Sequence, residues 1–216
     1  MKRVAFCGIE GSGKTTAVRY LLEYQVSDRR KRKVWFRWRA FLTFILYLYA
    51  KLRRLTYSYK DFSVYQDIKV HEWHGDIVLD RLYPYFLIFD MILFYLAEVA
   101  YSLLRNNDLL VFDRFFLDAL ADIAWELKRT TVLQSLPAVF VYRLVKKVDS
   151  CIILDVDPTL SLQRKKDGSL LEELEFKRDV YHFAARHSSL PIVDTSNKSI
   201  SDVCGILVNV LRDCGI

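Results

Sequence analysis

The stretch CGIEGSGKTTAV (residues 7–18) gathers three glycines, a lysine and two threonines. Gly8 and Gly13 stand at the ends of a Gly-x-x-x-x-Gly-Lys-Thr pattern. It follows the β-branched and aromatic run RVAFC (3–7) and precedes helically spaced apolar residues at Ala17, Val18, Leu21, Leu22 and Tyr24. A strand, a glycine turn and a helix in that order let backbone N–H groups converge on a phosphate at a helix N-terminus. Glu10, Gly11, Ser12 and Gly13 fill the loop. Lys14 supplies a mobile positive charge for β- and γ-phosphates, Thr15 a hydroxyl for Mg²⁺, and Thr16 follows it. The chemistry implied is the binding of a nucleoside triphosphate with magnesium. GTPases, ATPases and small-molecule kinases share it.

Two further groups could complete a reaction site. In LLVFDRFF, Asp113 and Arg114 follow an apolar run that reads as a buried strand. Open α/β sheets hold ligands at the carboxyl ends of their strands. There the Asp113 carboxylate can hold Mg²⁺ through water, and the Arg114 guanidinium can clamp a phosphate. A purely structural Asp–Arg pair is the other reading. In LDVDPTLSLQRKKDG, Arg164, Lys165 and Lys166 form a basic cluster at the end of a helix. Such a segment can close over a triphosphate and neutralise charge during transfer, or can be a solvated cluster.

These residues need a frame to hold them. Apolar runs predict strands at 3–7, 34–39, 109–113, 150–156 and 191–194. Helical spacing follows Lys14 and recurs at 40–54, 83–104, 115–128, 134–146, from 158, up to 186, and at 199–213. The like-charged run RRKRK (29–33) reads as a loop, and 55–75 shows no clean period and reads as irregular. Strands alternating with helices imply an α/β fold, a parallel sheet covered on both faces. The absence of repeats, low-complexity tracts and linkers implies a single domain over 1–216, with a short lid at about 164–175.

The net charge of +6 is unevenly spread: residues 1–60 hold 15 Lys/Arg against 3 Asp/Glu, and the remainder 17 against 23. The basic part attracts anions, whether nucleotide, nucleic acid or acidic lipid. Nucleic acid is not favoured, because RRKRK comes without aromatic or groove-reading partners at useful spacing. Cys7, Cys151, Cys204 and Cys214 form no Cys-x-x-Cys pair and read as reduced core residues of a cytoplasmic protein. The N-terminal apolar run is too short for a signal peptide. The apolar segment 40–50 is too short to span a bilayer. Segment 83–104 is long enough, but Asp90 and Glu98 interrupt it. A charge at the bilayer centre costs at least ~2.5 kcal/mol. A buried helix is expected there, and no transmembrane segment.

GIEGSGKTT, VFDRF, DSCIILDVDPTLSLQRKK and IVDTSN come in the order, and at nearly the separations, of thymidylate kinases, which the chain resembles. The resemblance covers the P-loop region and most of residues 90–210. It implies a P-loop NTPase fold with a five-stranded parallel sheet of order 2-3-1-4-5. It also implies ATP as donor, Mg²⁺ as cofactor, a nucleoside monophosphate as acceptor and a homodimer. Residue by residue, it brings Glu10 near the acceptor, Arg114 to the acceptor phosphate, Asp113 to the metal, Arg164 to the lid and Ser196 to the nucleotide. The family's Arg-Glu-Pro after the second strand is replaced by FRWRAF, where Arg37 or Arg39 would stand in for the arginine. The family's long helix carries Asp-Arg to read the base; FDMILFYL keeps Asp90 but has no arginine after it. Three readings stay open: a thymidylate kinase-like enzyme, a kinase for a different, less polar acceptor, and a non-kinase ATP-binding protein associated with nucleic acid.

Overall fold

The computed structural model describes residues 1–216 except 26–29, 37–40, 62–65, 72, 165–169, 214 and 216. Five strands, β1 (Lys2–Cys7), β2 (Lys31–Trp35), β5 (Leu109–Asp113), β6 (Ser150–Asp155) and β7 (Ile192–Asp194), form one parallel sheet. Their spatial order is β2-β5-β1-β6-β7. Counting only those strands along the chain, this is the expected 2-3-1-4-5. Strands β1, β5 and β6 lie in the middle and are almost continuously apolar, as strands covered on both faces must be.

Helices cover the two faces. On one face, α1 (Lys14–Tyr20) and α8 (Ile200–Asp213) pack Ala17, Val18, Leu207 and Leu211 against Val4, Phe6, Val111 and Ile152. A π-turn, Leu21–Gln25, continues α1. On the other face lie α2 (Phe41–Leu52), α3 (Ile77–Leu104), α4 (Phe116–Glu126), α5 (Leu136–Val145) and α7 (Leu171–Ser188). The short α6 (Pro158–Arg164) follows β6, and a 3₁₀ turn, Thr130–Gln134, precedes α5. The inner side of α3 contributes Leu79, Tyr83, Leu87, Ile88, Met91 and Tyr95 to the core. Burying each such side chain is worth about 1.5–3 kcal/mol. By length and composition α3 could cross a membrane; one side of it packs into the core, but only a third of its most apolar stretch is buried, so the buried helix expected there is only half realised.

Three expectations need correction. Strand β2 starts at Lys31 rather than 34, so the basic run is not all loop. It is an edge strand, where lysines blunt pairing with other chains, and its cations have partners. Lys31 donates to the Leu22 carbonyl, and Arg32 pairs with Glu98 at 2.7 Å. Second, residues 55–75 are not irregular: β3 (Thr56–Asp61) and β4 (Gln66–His71) form an antiparallel pair. TYSYKD and QDIKVH do alternate, but with polar residues in most positions, which hides the period. Third, α3 begins at Ile77, six residues early, and runs through Pro84. Asp76 caps it, its carboxylate accepting from the Val78 and Leu79 N–H groups at 3.0 and 3.1 Å.

Cys7, Cys151 and Cys204 are free thiols and buried. The sulfurs of Cys7 and Cys151 lie 3.9 Å apart across β1 and β6. Burial pushes the Cys7 thiol well above its ordinary pKa, so it stays protonated.

Candidate functional site

The carboxyl ends of β1, β5, β6 and β7 meet around one cavity of about 440 Å³. Its floor is the loop from Glu10 to Gly13 and the first turn of α1, including Lys14, Thr15 and Thr16. Gly13 has φ 92°, a conformation open to glycine, and a Cβ there would meet no atom within 4 Å. Lys14 is buried and folds back, its ammonium donating to the Gly8 and Ile9 carbonyls at 2.5 and 2.7 Å. Burial, then the nearby Arg114 charge, lowers its pKa to about 8. A lysine in that state gains from any anion that reaches it.

Thr15 and Asp113 are already together: the Thr15 hydroxyl donates to Asp113 Oδ2 at 3.0 Å. A hydroxyl and a carboxylate at the mouth of this glycine loop are the hard oxygen groups that magnesium takes. Together with the retracted lysine and the open space over Gly13, they fit a triphosphate carrying Mg²⁺. Lys33 of β2 lies at the same carboxylate, its Nζ 3.0 Å from Asp113 Oδ2.

Arg114 comes directly after Asp113 yet serves a different group. Its φ of 76° is uncommon for a residue with a side chain. Its N–H donates to the Phe6 carbonyl at 3.0 Å, which ties this turn to β1. The guanidinium reaches Glu10 at 3.0 Å and Asp118 at 3.7 Å. Burial works against its charge, but Glu10 and Asp118 outweigh it and raise the pKa. Asp118 in turn accepts from the Phe115 N–H at 2.8 Å and the Tyr181 hydroxyl at 2.9 Å. Burial pushes its carboxyl up, with Lys14 and Arg114 opposing. Lys177 of α7 is also buried, 2.7 Å from Asp122 and 2.6 Å from Glu173. A pocket of alternating buried charges therefore stands beside the glycine loop.

The remaining expected residues divide. Arg164 lines the cavity, and its guanidinium donates to the Thr195 and Ser196 carbonyls at 2.8 and 2.9 Å. It thus fastens α6 to the loop after β7. The Ser196 hydroxyl accepts from the Asp157 N–H at 3.0 Å; its neighbour Thr195 is the one at the cavity wall. Gly8 packs beneath the loop against Leu154 rather than lining it. Asp90 is not brought to this cavity. It is 2% exposed, and it accepts from the Leu42 N–H at 3.2 Å and from the Thr43 N–H and hydroxyl at 2.8 Å each. That caps the start of α2. Arg37, Arg39, Lys165 and Lys166 lie outside the described residues. Residues 171–175, assigned to the lid from sequence, are the first turn of α7.

Sequence reasoning missed Lys33, Asp118, Thr195 and Lys198. Asp118 had a signal, four residues after Arg114 and therefore on its side of a helix. Thr195 had one too, following an apolar run that ends in Asp194. Lys33 and Lys198 had none beyond their charge.

No family model matches this chain, and no curated protein matches its sequence. The solved structures do offer a likeness. Thymidylate kinase from Ehrlichia chaffeensis superposes with a TM-score of 0.54 at 18% identity, over 97% of this chain and 98% of that one. The shared feature at that identity is the fold, a P-loop NTPase α/β sheet.

Proposed function

We propose that this chain is a kinase that transfers the γ-phosphoryl group of ATP, as its magnesium complex, to a nucleoside monophosphate. One observation carries the reading. Consecutive residues at the end of β5 serve two partners: Asp113 faces Thr15 on the donor loop, and Arg114 faces Glu10 and Asp118 beside it. Phosphoryl transfer needs a donor and an acceptor side by side, with little covalent work from the protein. The thymidylate kinase named above supports the class.

In this reading the loop amides from Gly11 to Thr15 hold the donor phosphates. Lys14 leaves the Gly8 and Ile9 carbonyls for the β- and γ-phosphoryl oxygens and gains a full charge there. Magnesium, held at Thr15 and through water at Asp113, would neutralise charge on the transferring group. Arg114 exchanges a carboxylate oxygen of Glu10 for the acceptor phosphate and aligns it for in-line attack. Glu10 then has room to face the acceptor nucleotide. Arg164 holds the loop from Thr195 to Ser196 that borders the donor. A lid over 164–175, one domain over the whole chain, a part for Arg37 or Arg39 at the acceptor and a cytoplasmic setting belong to the same proposal.

The acceptor is thymidylate or a less polar group. The second option rests on the absence of an arginine after Asp90 in FDMILFYL. Phe36, where the resemblance would bring the segment toward the acceptor, is 1% exposed. Its ring packs within 5.0–5.4 Å of Phe94, Phe112, Phe115 and Phe116. Phe36, Phe112, Phe115 and Phe116 fill the core beneath the site and pack against one another, so they present no surface to an acceptor. The nucleic-acid reading loses ground, since Lys31, Arg32 and Lys33 are engaged within the chain.

A second copy of the chain is the proposed partner. Leu82, Phe86, Phe89, Leu93, Leu96, Ala100 and Leu103 on α3 recur at alternating spacings of four and three. Leu82, Phe89, Leu93, Leu96 and Leu103 are 40–56% exposed. That is the spacing of a helix seam that buries itself against another helix. The deciding experiment for the activity is a screen of nucleoside monophosphates and hydrophobic alcohols with ATP and Mg²⁺, reading ADP release. ADP release that depends on one acceptor supports the proposal. ATP binding with no acceptor-dependent release from either set sinks it.

A further inference from the structure

Lys33 has no part in the reaction proposed above, yet it touches the group that reaction needs for its metal. It stands on the edge strand β2 opposite Val111, and its side chain reaches one pleat further along β5. There Nζ lies 3.0 Å from Asp113 Oδ2, the same oxygen that accepts the Thr15 hydroxyl at 3.0 Å. The Asp113 side chain is 4% exposed, so little water screens its charge. That of Lys33 is 39% exposed, so its ammonium can retreat to solvent without unfolding anything. Its neighbours on the strand are committed elsewhere, Lys31 to the Leu22 carbonyl and Arg32 to Glu98.

We propose that Lys33 is a built-in counter-ion of the metal carboxylate: it keeps divalent cations off Thr15 and Asp113 until a nucleotide brings one. The proposal rests on the nucleotide-binding reading and adds an order of events to it. A divalent ion at Thr15 and an ammonium 3.0 Å from the adjoining carboxylate oxygen compete for one negative charge. Magnesium dehydrates reluctantly and is usually held by few protein oxygens together with substrate phosphates. Alone, it has little to offer Asp113 that Lys33 does not already give. With a triphosphate the balance reverses. Phosphate oxygens complete the metal's shell, and they present Lys33 with a new anion in place of the one it yields. Metal therefore enters with its nucleotide rather than ahead of it.

The test is Mn²⁺ titration of the full chain, read by the electron paramagnetic resonance of free Mn²⁺. It needs wild type, Lys33→Met, Lys33→Arg and Lys33→Met/Asp113→Asn, each with its melting temperature measured. Without nucleotide, Lys33→Met should bind Mn²⁺ about tenfold tighter than wild type, since one compensated charge has been freed. Lys33→Arg should stay weak, and the double variant should lose the gain. With a non-hydrolysable ATP analogue, the gap between wild type and Lys33→Met should narrow to about threefold or less, because the phosphates then supply ligands and a second anion. Equal affinities without nucleotide overturn the proposal, as does a gain that survives Asp113→Asn or a gap that persists with the analogue. Lys33→Gln repeats the measurement should the methionine variant fold poorly. The nucleotide-free arm is independent of ADP release, so failure of the kinase reading and failure of this one give different results.

Discussion

The cleft at the carboxyl ends of the strands and the flank formed by α2 and α3 are built from opposite materials. The cleft holds buried charges: Lys14, Arg114, Asp118 and Lys177 are all under 10% exposed. The flank leaves large apolar groups in water, Phe41 at 80% and Leu52 at 85%. Charge buried at a cost is kept where something is bound; apolar surface left exposed is kept where something is to be covered. Substitutions in the cleft should therefore change rates, and those on the flank should change association.

The largest effect belongs to Lys14. Lys14→Met should lower kcat by about a thousandfold or more, as loss of a preorganised transition-state charge does. Its melting temperature should hold or rise, because a buried charge is removed. A variant with near wild-type turnover would erase the distinction between the two regions. Arg114→Ala comes next. It leaves Glu10 and Asp118 facing each other, so it should cost about 3 kcal/mol of stability as well as raising the acceptor KM. Denaturant unfolding and acceptor titration at saturating ATP read the two effects separately.

Smaller effects sharpen the contrast. Burial and the Arg114 charge lower the Lys14 pKa to about 8, and a triphosphate beside it should raise it. Nucleotide affinity should then be full below pH 8 and fall by up to about tenfold per unit above it, with proton uptake on binding. Calorimetry in two buffers of different ionisation enthalpy measures that uptake, and Lys14→Met should abolish it. Asp90→Ala removes the cap of α2 and should cost about 1–2 kcal/mol with donor KM unchanged. A changed acceptor KM would return Asp90 to the site. Least disruptive to the protomer is Leu93→Glu on the exposed seam. It should shift stability by no more than about 0.5 kcal/mol while dissociating the proposed dimer in sedimentation.

The same division governs what could be read from the sequence. The glycine turn between β1 and α1 was legible because its signal is local: Gly8 to Thr15 are neighbours in the chain. Asp113 and Arg114 were legible because a buried strand announces its own end. Strand β2 was misplaced because the partners that let Arg32 and Lys33 enter a sheet, Glu98 and Asp113, are distant in sequence. The antiparallel pair from Thr56 to His71 was missed for a related reason, as alternation among mostly polar residues leaves no apolar stripe. Asp90 was expected at the acceptor and not as a cap, because the amides it accepts from lie 47–48 residues earlier. The early start of α3 was missed because a single side chain, the Asp76 cap, marks it.

Gly8 imposes a mutational limit on the whole arrangement. A methyl group on it would overlap the Leu154 carbonyl oxygen of β6, and its φ is 141°. Every amino acid reachable from a glycine codon by one base change carries at least that methyl group. No single-base replacement at this position can therefore be accommodated unless the loop and β6 move apart. Lineages of this protein can drift through the exposed seam of α3 one residue at a time. Under the loop they have no neighbouring sequence to drift into.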